Sequence, residues 1–309
     1  MATYNGARFL RGQLNSIIDQ TVPPDEIVVS DDASSDETLE ILRQAAGHSS
    51  VDVHVMANAE RAGVNGNFGR AIAATTGDVI LLADQDDVWA RQKVERLQAQ
   101  FERPEVTAAF SDATLIDEVG QPLGRTLFQS GPFRKVEQRR VDRGEGFDGL
   151  LRWNYVTGAT FGFRASVKPL ALPIPPAGLH DAWIALLASA VGRLSLLHEP
   201  LISYRIHGSN LQGVPSQNPV RVLRQRRVRA EFRGEEIAFF EAAAERLKSA
   251  GLLGEDQTRA LAGKISHLNT RRLLPDSRLR RASAVLRHAP EYWRYARGFR
   301  SVLYDILYA

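Results

Sequence analysis

Up to about residue 112, short apolar runs alternate with segments of helical periodicity, and this alternation limits the fold more than any other feature of the chain. "ARFLRGQLNSIIDQ" carries Phe9, Leu10, Leu14, Ile17 and Ile18 at helical spacing, and "VPP" behind it blocks continuation. "EIVVS" then reads as a buried strand and "SSDETLEILRQ" as a helix capped by Ser35 or Asp36. "VDVHVM" alternates as a strand, "GNFGRAIAATTGD" is a helix ending at Gly77, "VILLA" is a strand, "WARQKVERLQAQF" a helix and "TAAFSD" a strand. Repeated strand, helix, strand order predicts an α/β fold: a mostly parallel, mixed sheet with helices on both faces. Such sheets bind ligands at the carboxyl ends of their strands, where "TYN", "DDASSDET" and "DQDD" fall.

Only Met1 and Ala2 precede "TYN", so the strand expected to feed that loop is missing from the chain, or that edge is closed differently. From about 113 to 178 the pattern is less regular. "IDEVGQPLG" reads as a hairpin, the basic "FRKVEQRR" as a loop and "YVTGATFGFR" as a strand. "LHDAWIALLASAVG" follows as a helix, and "LSLLHEPLISYRIHGSN" as two strands around a Glu-Pro turn. Beyond Gly213 long helices take over, which places a boundary near residue 216 between a first domain (1–215) and a basic, mostly helical region (216–309).

Three carboxylates within four residues, Asp84, Asp86 and Asp87, end the apolar run "VILLA". Like charges this close need protonation, solvent or a cation. Asp84 and Asp86, one residue apart at a strand end, can face the same side, and hard oxygen ligands suit Mg²⁺ or Mn²⁺, which keep water and phosphate oxygens as further ligands. The alternative is that the three cap a helix starting near Trp89. In "DDASSDET", Asp36 is explained as a cap, whereas Asp32 at a strand end can accept from a base N–H or a ribose hydroxyl. With no cysteine in the chain, disulfides, thiolate metal sites and cysteine nucleophiles are excluded.

"ATYNGARFLRGQLNSIIDQTVPPDEIVVSDDASSDET" followed by "GVNGNFGRAIAATTGDVILLADQDDVW" resembles family 2 glycosyltransferases of GT-A fold, in particular bacterial rhamnosyltransferase-like members. The likeness runs over roughly residues 1–213. It implies that Thr3 and Tyr4 line the base and ribose of a nucleotide sugar, that Asp32 contacts the base and that Arg61 lies near base or diphosphate. It also implies that Asp84 and Asp86 form the metal and diphosphate motif, with Asp86 the direct ligand, and that Asp181 in "LHDAW" is the catalytic base. The reaction implied is a single displacement with inversion. Physically, a carboxylate at the start of the apolar helix "AWIALLASAVG" is either its cap or a proton acceptor beside a cleft. His207 in "YRIHGSN" either serves the diphosphate and metal or is structural. His180 and Trp183 flank Asp181 as acceptor-pocket candidates, Trp183 being equally compatible with a core position.

Charge separates the two regions: 19 Lys/Arg against 10 Asp/Glu from residue 216 onward, but 20 against 26 before it. Arginine-rich helices interleaved with Tyr292, Trp293, Tyr295, Phe299 and Tyr304 suit either an anionic membrane surface or a lid packed on the first domain. No apolar stretch reaches the roughly 20 residues that span a bilayer, and no signal peptide opens the sequence. The expectation is a cytoplasmic enzyme, peripheral on the inner membrane face, that moves a sugar from a nucleoside-diphosphate donor, dTDP-rhamnose being one candidate. Its acceptor is a glycan or lipid-linked glycan of the bacterial surface, and nucleic acid is not a partner. The alternative is a non-catalytic sugar-nucleotide-binding or membrane-associated scaffold. "GEGFDG" matches a dinucleotide-binding glycine pattern but lacks a preceding buried strand, so it carries no such role.

Overall fold

The computed structural model describes residues 1–208 and 219–308, so the boundary predicted near residue 216 lies outside the described residues. The first half alternates as expected: β1 (Ala2–Thr3), α1 (Ala7–Ile18), β2 (Glu26–Asp31), α2 (Thr38–His48), β3 (Asp52–Ala57), α3 (Gly63–Ala74) and β4 (Val79–Leu81). β5 (Val88–Trp89), α4 (Lys93–Gln98), β6 (Val106–Ile116) and β7 (Pro122–Thr126) follow. Next come α5 (Leu127–Ser130), α6 (Lys135–Asp142), α7 (Gly146–Arg152), β8 (Phe161–Arg164), α8 (Lys168–Ala171), α9 (His180–Val191) and β9 (Arg193–Arg205). Among the described residues five helices follow: α10 (Pro219–Ser249), α11 (Glu255–Arg272), α12 (Arg278–Arg287), α13 (Ala289–Tyr295) and α14 (Phe299–Tyr308).

The strands form two sheets. One is parallel, in the order β1-β2-β3; the other is mixed, in the order β4-β8-β6-β9-β5, with β7 paired to β6. The mixed order expected from the sequence is found: the first three strands, and β6 with β9, are parallel, while β8 runs antiparallel to both β4 and β6. β1 pairs with β2 alone: Met1 O and Thr3 O accept from Ser30 N and Asp32 N at 3.0 and 2.9 Å. The seam beside it is bridged by one side chain. Gln85 donates through Nε2 to Tyr4 O (3.0 Å) and accepts through Oε1 from Tyr4 N (2.8 Å), reproducing the two-way exchange of a strand pair.

Three local expectations are corrected. "FRKVEQRR" contributes to α6 and is not a loop; Lys, Glu, Gln and Arg are good helix formers, and a single buried apolar residue, Val141, left too little periodicity to read. The Glu-Pro pair does not turn the chain. β9 runs through it, with pairing to β6 jumping from Ser111↔Leu197 to Asp112↔Pro200, an irregularity that accommodates the missing Pro200 N–H. Finally, the helix expected near Trp89 begins only at Lys93, because Val88 and Trp89 pair with Ser203 and Ile202 as β5. Asp84, Asp86 and Asp87 are thus too far from α4 to cap it.

The main core lies between the mixed sheet and α9, whose Trp183, Ile184, Leu186 and Leu187 are at most 1% exposed. The C-terminal helices share this core: Ile237, Phe239, Phe240 and Leu247 of α10 are buried in it, with the Phe239 and Trp183 ring centroids 5.8 Å apart. Arg246 clamps the junction by donating to Leu170 O and Leu172 O, both at 2.8 Å. Among the described residues no helix is long and apolar enough to cross a membrane.

Candidate active site

The strand ends, the start of α9 and the α13–α14 turn surround one open cleft of about 1660 Å³. Thr3, Tyr4, Asp32, Arg61, Asp84, Asp86, His180, Asp181 and His207 all line it. Trp183 does not. It is fully buried, donates Nε1–H to Ala171 O (2.8 Å) and belongs to the core, because the residue two positions beyond Asp181 on a helix turns away from the face that Asp181 presents.

At one end, Tyr4 and Arg61 stack, the guanidinium carbon 3.7 Å from the ring centroid, while Arg61 Nε lies 3.7 Å from Asp32 Oδ2. Asp32 is buried and holds the loop before α3, accepting from Ala62 N (2.6 Å), Gly63 N (3.1 Å) and Asn58 Nδ2 (3.0 Å). Thr3 is fixed in turn: its hydroxyl donates to Asp31 Oδ2 (2.7 Å) and its carbonyl accepts from Asn67 Nδ2 (3.1 Å). The turn between Tyr4 and α1 contains Asn5 at φ 46, a left-handed conformation that Asn tolerates, and Asn5 Oδ1 accepts from Ser35 N at 2.9 Å. Asp36 accepts from Thr38 N (3.0 Å) and Ala7 N (3.1 Å), joining the starts of α2 and α1.

At the cleft floor the three clustered aspartates take separate roles. Asp87 turns inward, where Oδ1 accepts from Arg205 N (2.9 Å) and Oδ2 has no partner; burial, then Asp86 and Asp84, hold its carboxyl well above the ordinary range. Asp84 is half-buried and pushed up to about 7, by burial first and then by the charges of Asp86 and Asp181. Asp86 Oδ2 pairs with His207 Nε2 at 2.8 Å. Lys93 is buried and donates to Ala159 O (2.6 Å); burial lowers its ammonium to about 7, against the pull of Asp87 and Asp84. Arg205 Nε donates to Asp86 O (2.8 Å), so the acidic loop is braced from β9.

Carboxylate and imidazole ligands of this kind suit a divalent cation. Asp84, Asp86 and His207 all line the cleft, and Asp86 and His207 are in direct contact there. Among the described residues no group of three or more histidine, aspartate or glutamate side chains could by itself hold a metal ion. An open set of this kind matches an ion that keeps phosphate and water ligands.

Asp181 occupies the first turn of α9, with Oδ2 accepting from Gly158 N (2.9 Å) and Oδ1 from Ala182 N (2.6 Å). Burial raises it to about 6, against the lowering effect of those N–H donors. Its neighbour His180 stacks on Phe68 with ring centroids 3.8 Å apart, and burial lowers the imidazole to about 3. Gln85, Lys93 and Arg205 escaped sequence reading. The one legible signal was the Arg that closes the apolar strand "LISYR".

The sequence profile of "Glycosyl transferase family 2" matches residues 1–155, half of the chain. The chain belongs to this family. It is 28% identical over 213 residues to an uncharacterized glycosyltransferase of Nostoc sp., covering 68% of this chain and 64% of the relative. It is 35% identical over 99 residues to the dTDP-rhamnosyl transferase RfbG of Shigella flexneri, covering 31% of this chain and 34% of that protein. The chain thus spans less than two thirds of the length of these curated relatives. Among solved structures, S. aureus TarS in complex with UDP-GlcNAc superposes with a TM-score of 0.55 at 16% identity, over 99% of this chain and 86% of that one. The mannosyltransferase PcManGT of Pyrobaculum calidifontis, in complex with GDP-Man and Mn²⁺, gives 0.52 at 19% identity, over 94% and 73%. These likenesses show the fold, the GT-A architecture expected from the sequence.

Proposed function

We propose that the chain transfers a sugar from a nucleoside-diphosphate donor to a glycan hydroxyl, with inversion, in the assembly of a bacterial surface polysaccharide. The observation that carries this reading is the meeting, in one cleft, of the Tyr4–Arg61–Asp32 cluster, the Asp86–His207 pair and a buried carboxylate at Asp181. The base and ribose lie against Tyr4 and Thr3, Asp32 orients the loop around them, and Arg61 faces the diphosphate. Asp86, with His207 and Asp84, would hold Mg²⁺ or Mn²⁺. When bound, such an ion neutralises charge on the departing diphosphate.

Asp181, raised to about 6, is mostly ionised at neutral pH yet basic enough to take a hydroxyl proton. The acceptor oxygen then attacks the anomeric carbon as the bond to the diphosphate oxygen breaks, and that electron pair leaves with the nucleoside diphosphate. Arg61 stabilises the charge that develops there. The match to RfbG supports dTDP-rhamnose as a donor to try first, and the Mn²⁺ in the PcManGT complex supports the metal. Release of nucleoside diphosphate from dTDP-, UDP- and GDP-sugars in the presence of Mn²⁺ tests the reading: Asp181→Asn is expected to abolish release while keeping donor binding. Undiminished release would assign the base elsewhere.

The reading includes peripheral attachment to anionic membrane. α10 packs as part of the core, whereas α12 to α14 leave Leu279, Leu286, Trp293 and Phe299 at least half exposed among arginines. A basic helical surface with exposed apolar side chains suits anionic lipid. Leu279→Glu with Leu286→Glu is expected to release the protein from phosphatidylglycerol vesicles, and equal partitioning would refute this attachment.

A further inference from the structure

The cleft has two chemically different ends. Its carboxylates are Asp32, Asp84, Asp86 and Asp181. The wall built by β7, the α5–α6 and α7–β8 connections and the α13–α14 turn carries none of them and four arginines: Arg125, Arg134, Arg297 and Arg300. All four are exposed. Contacts with α7 and the residue after it hold the α13–α14 turn, which carries Arg297, at the cleft. Arg152 Nε donates to Ala296 O at 3.2 Å, and the Arg297 guanidinium lies 4.9 Å from the Trp153 ring centroid. α14 is anchored by Asp305, which has no exposed surface and takes Arg271 (2.6 Å), Arg233 (3.0 Å) and the Tyr292 hydroxyl (2.8 Å).

Trp153 is itself set edge-on against Phe133 and Tyr155, with centroids at 6.3 and 5.5 Å, so the indole beside the Arg297 guanidinium is held in place. His180, beside Asp181, adds a second observation. It is 6% exposed, lines the cleft, and neither ring nitrogen has a hydrogen-bond partner. A buried polar ring without partners is completed by a ligand or by water.

We propose that the arginine-lined end is the acceptor subsite, and that it takes an acceptor bearing a phosphate close to the hydroxyl that is glycosylated. Guanidinium forks match phosphate oxygens in geometry and charge. Trp153 offers a flat apolar face for the sugar ring, and His180 can hydrogen-bond a hydroxyl next to the one facing Asp181. Polarity follows from which groups carry carboxylates: the donor diphosphate belongs with Arg61 and the acidic residues, and the phosphate of the acceptor with the wall that has arginines and no carboxylate. This inference rests on the donor reading given above for the other end.

Binding of glucose 1-phosphate and of neutral methyl glucoside to the full chain, by calorimetry, tests it. Each is measured alone and after saturation with whichever of dTDP, UDP or GDP binds with Mn²⁺. Glucose 1-phosphate is expected to bind and methyl glucoside not, binding is expected to persist with the nucleotide present, and Arg134→Gln with Arg300→Gln should weaken it on the order of tenfold or more. Retained nucleotide binding shows that the double variant is folded. Displacement by the nucleotide, unchanged affinity in the double variant, or no binding of glucose 1-phosphate would each overturn the proposal. Arginine-dependent binding without any nucleotide binding would leave it standing and remove the donor reading instead. Repeating the titration with polyprenyl-phosphate glucose in phosphatidylcholine vesicles separates the sources. Tighter, still arginine-dependent binding supports a lipid-linked phosphate, and equal binding a soluble one.

Discussion

Asp181→Asn separates a proton acceptor from a helix cap, because the two roles make opposite demands on stability. Moving the carboxyl from 3.8 to about 6 makes its ionisation about 3 kcal/mol less favourable in the folded chain than in the unfolded one. Below pH 3.8 both states hold the proton and the penalty is absent. As pH rises towards 6 the unfolded chain releases its proton first, so wild-type stability falls, and above about 6 the deficit is constant. Asparagine never ionises. Like the protonated acid, it turns one non-accepting group towards Gly158 N–H or Ala182 N–H, so the two chains start level at low pH. The variant should therefore gain about 2 kcal/mol on wild type between pH 4.5 and pH 8, read from urea unfolding at each pH. It should also lose sugar transfer, whereas wild-type kcat/KM should rise with pH through about 6. A stability difference that stays flat or falls with pH would show that Asp181 is an ordinary cap, and the argument for it as base would fail.

Three further outcomes are expected. Asp86→Asn should remove the effect of Mn²⁺ on nucleotide affinity, measured by calorimetry with and without the ion. Gln85→Leu deletes both hydrogen bonds to Tyr4 and should destabilise the chain by about 1–3 kcal/mol in urea unfolding, with a larger loss in donor affinity than in secondary structure by circular dichroism. Asp305→Ala leaves Arg271 and Arg233 without their shared carboxylate and should cost about 3–5 kcal/mol, read from the urea midpoint.

The carboxylates that line the cleft were legible because each is marked locally in sequence. A carboxylate at the end of a short apolar strand needs few words to read, and Asp32, Asp84, Asp86 and Asp181 each follow or start a strongly periodic element. The cleft brings them together without any one of them having revealed its distance from the others. What stayed hidden depends on long-range placement. Gln85 acts as a strand partner only because β1 ends beside it; Arg205 braces a loop more than a hundred positions earlier; Arg297 and Arg300 reach the cleft from helices anchored on the buried Asp305. The Glu-Pro pair in β9 misled for a different reason: local turn preference was overridden by continuous pairing to β6. Trp183 shows the same limit at a single residue, since neighbourhood in sequence to Asp181 did not fix which face of α9 it occupies.

Calorimetric titration of the chain with dTDP, UDP and GDP, each with and without Mn²⁺, on wild type, Asp86→Asn and Asp181→Asn, tests the central claim most directly. The account predicts that at least one nucleotide binds in a Mn²⁺-dependent way to wild type and to Asp181→Asn, and that the dependence disappears in Asp86→Asn. Absence of binding by all three, or Mn²⁺-dependent binding untouched by Asp86→Asn, would contradict it.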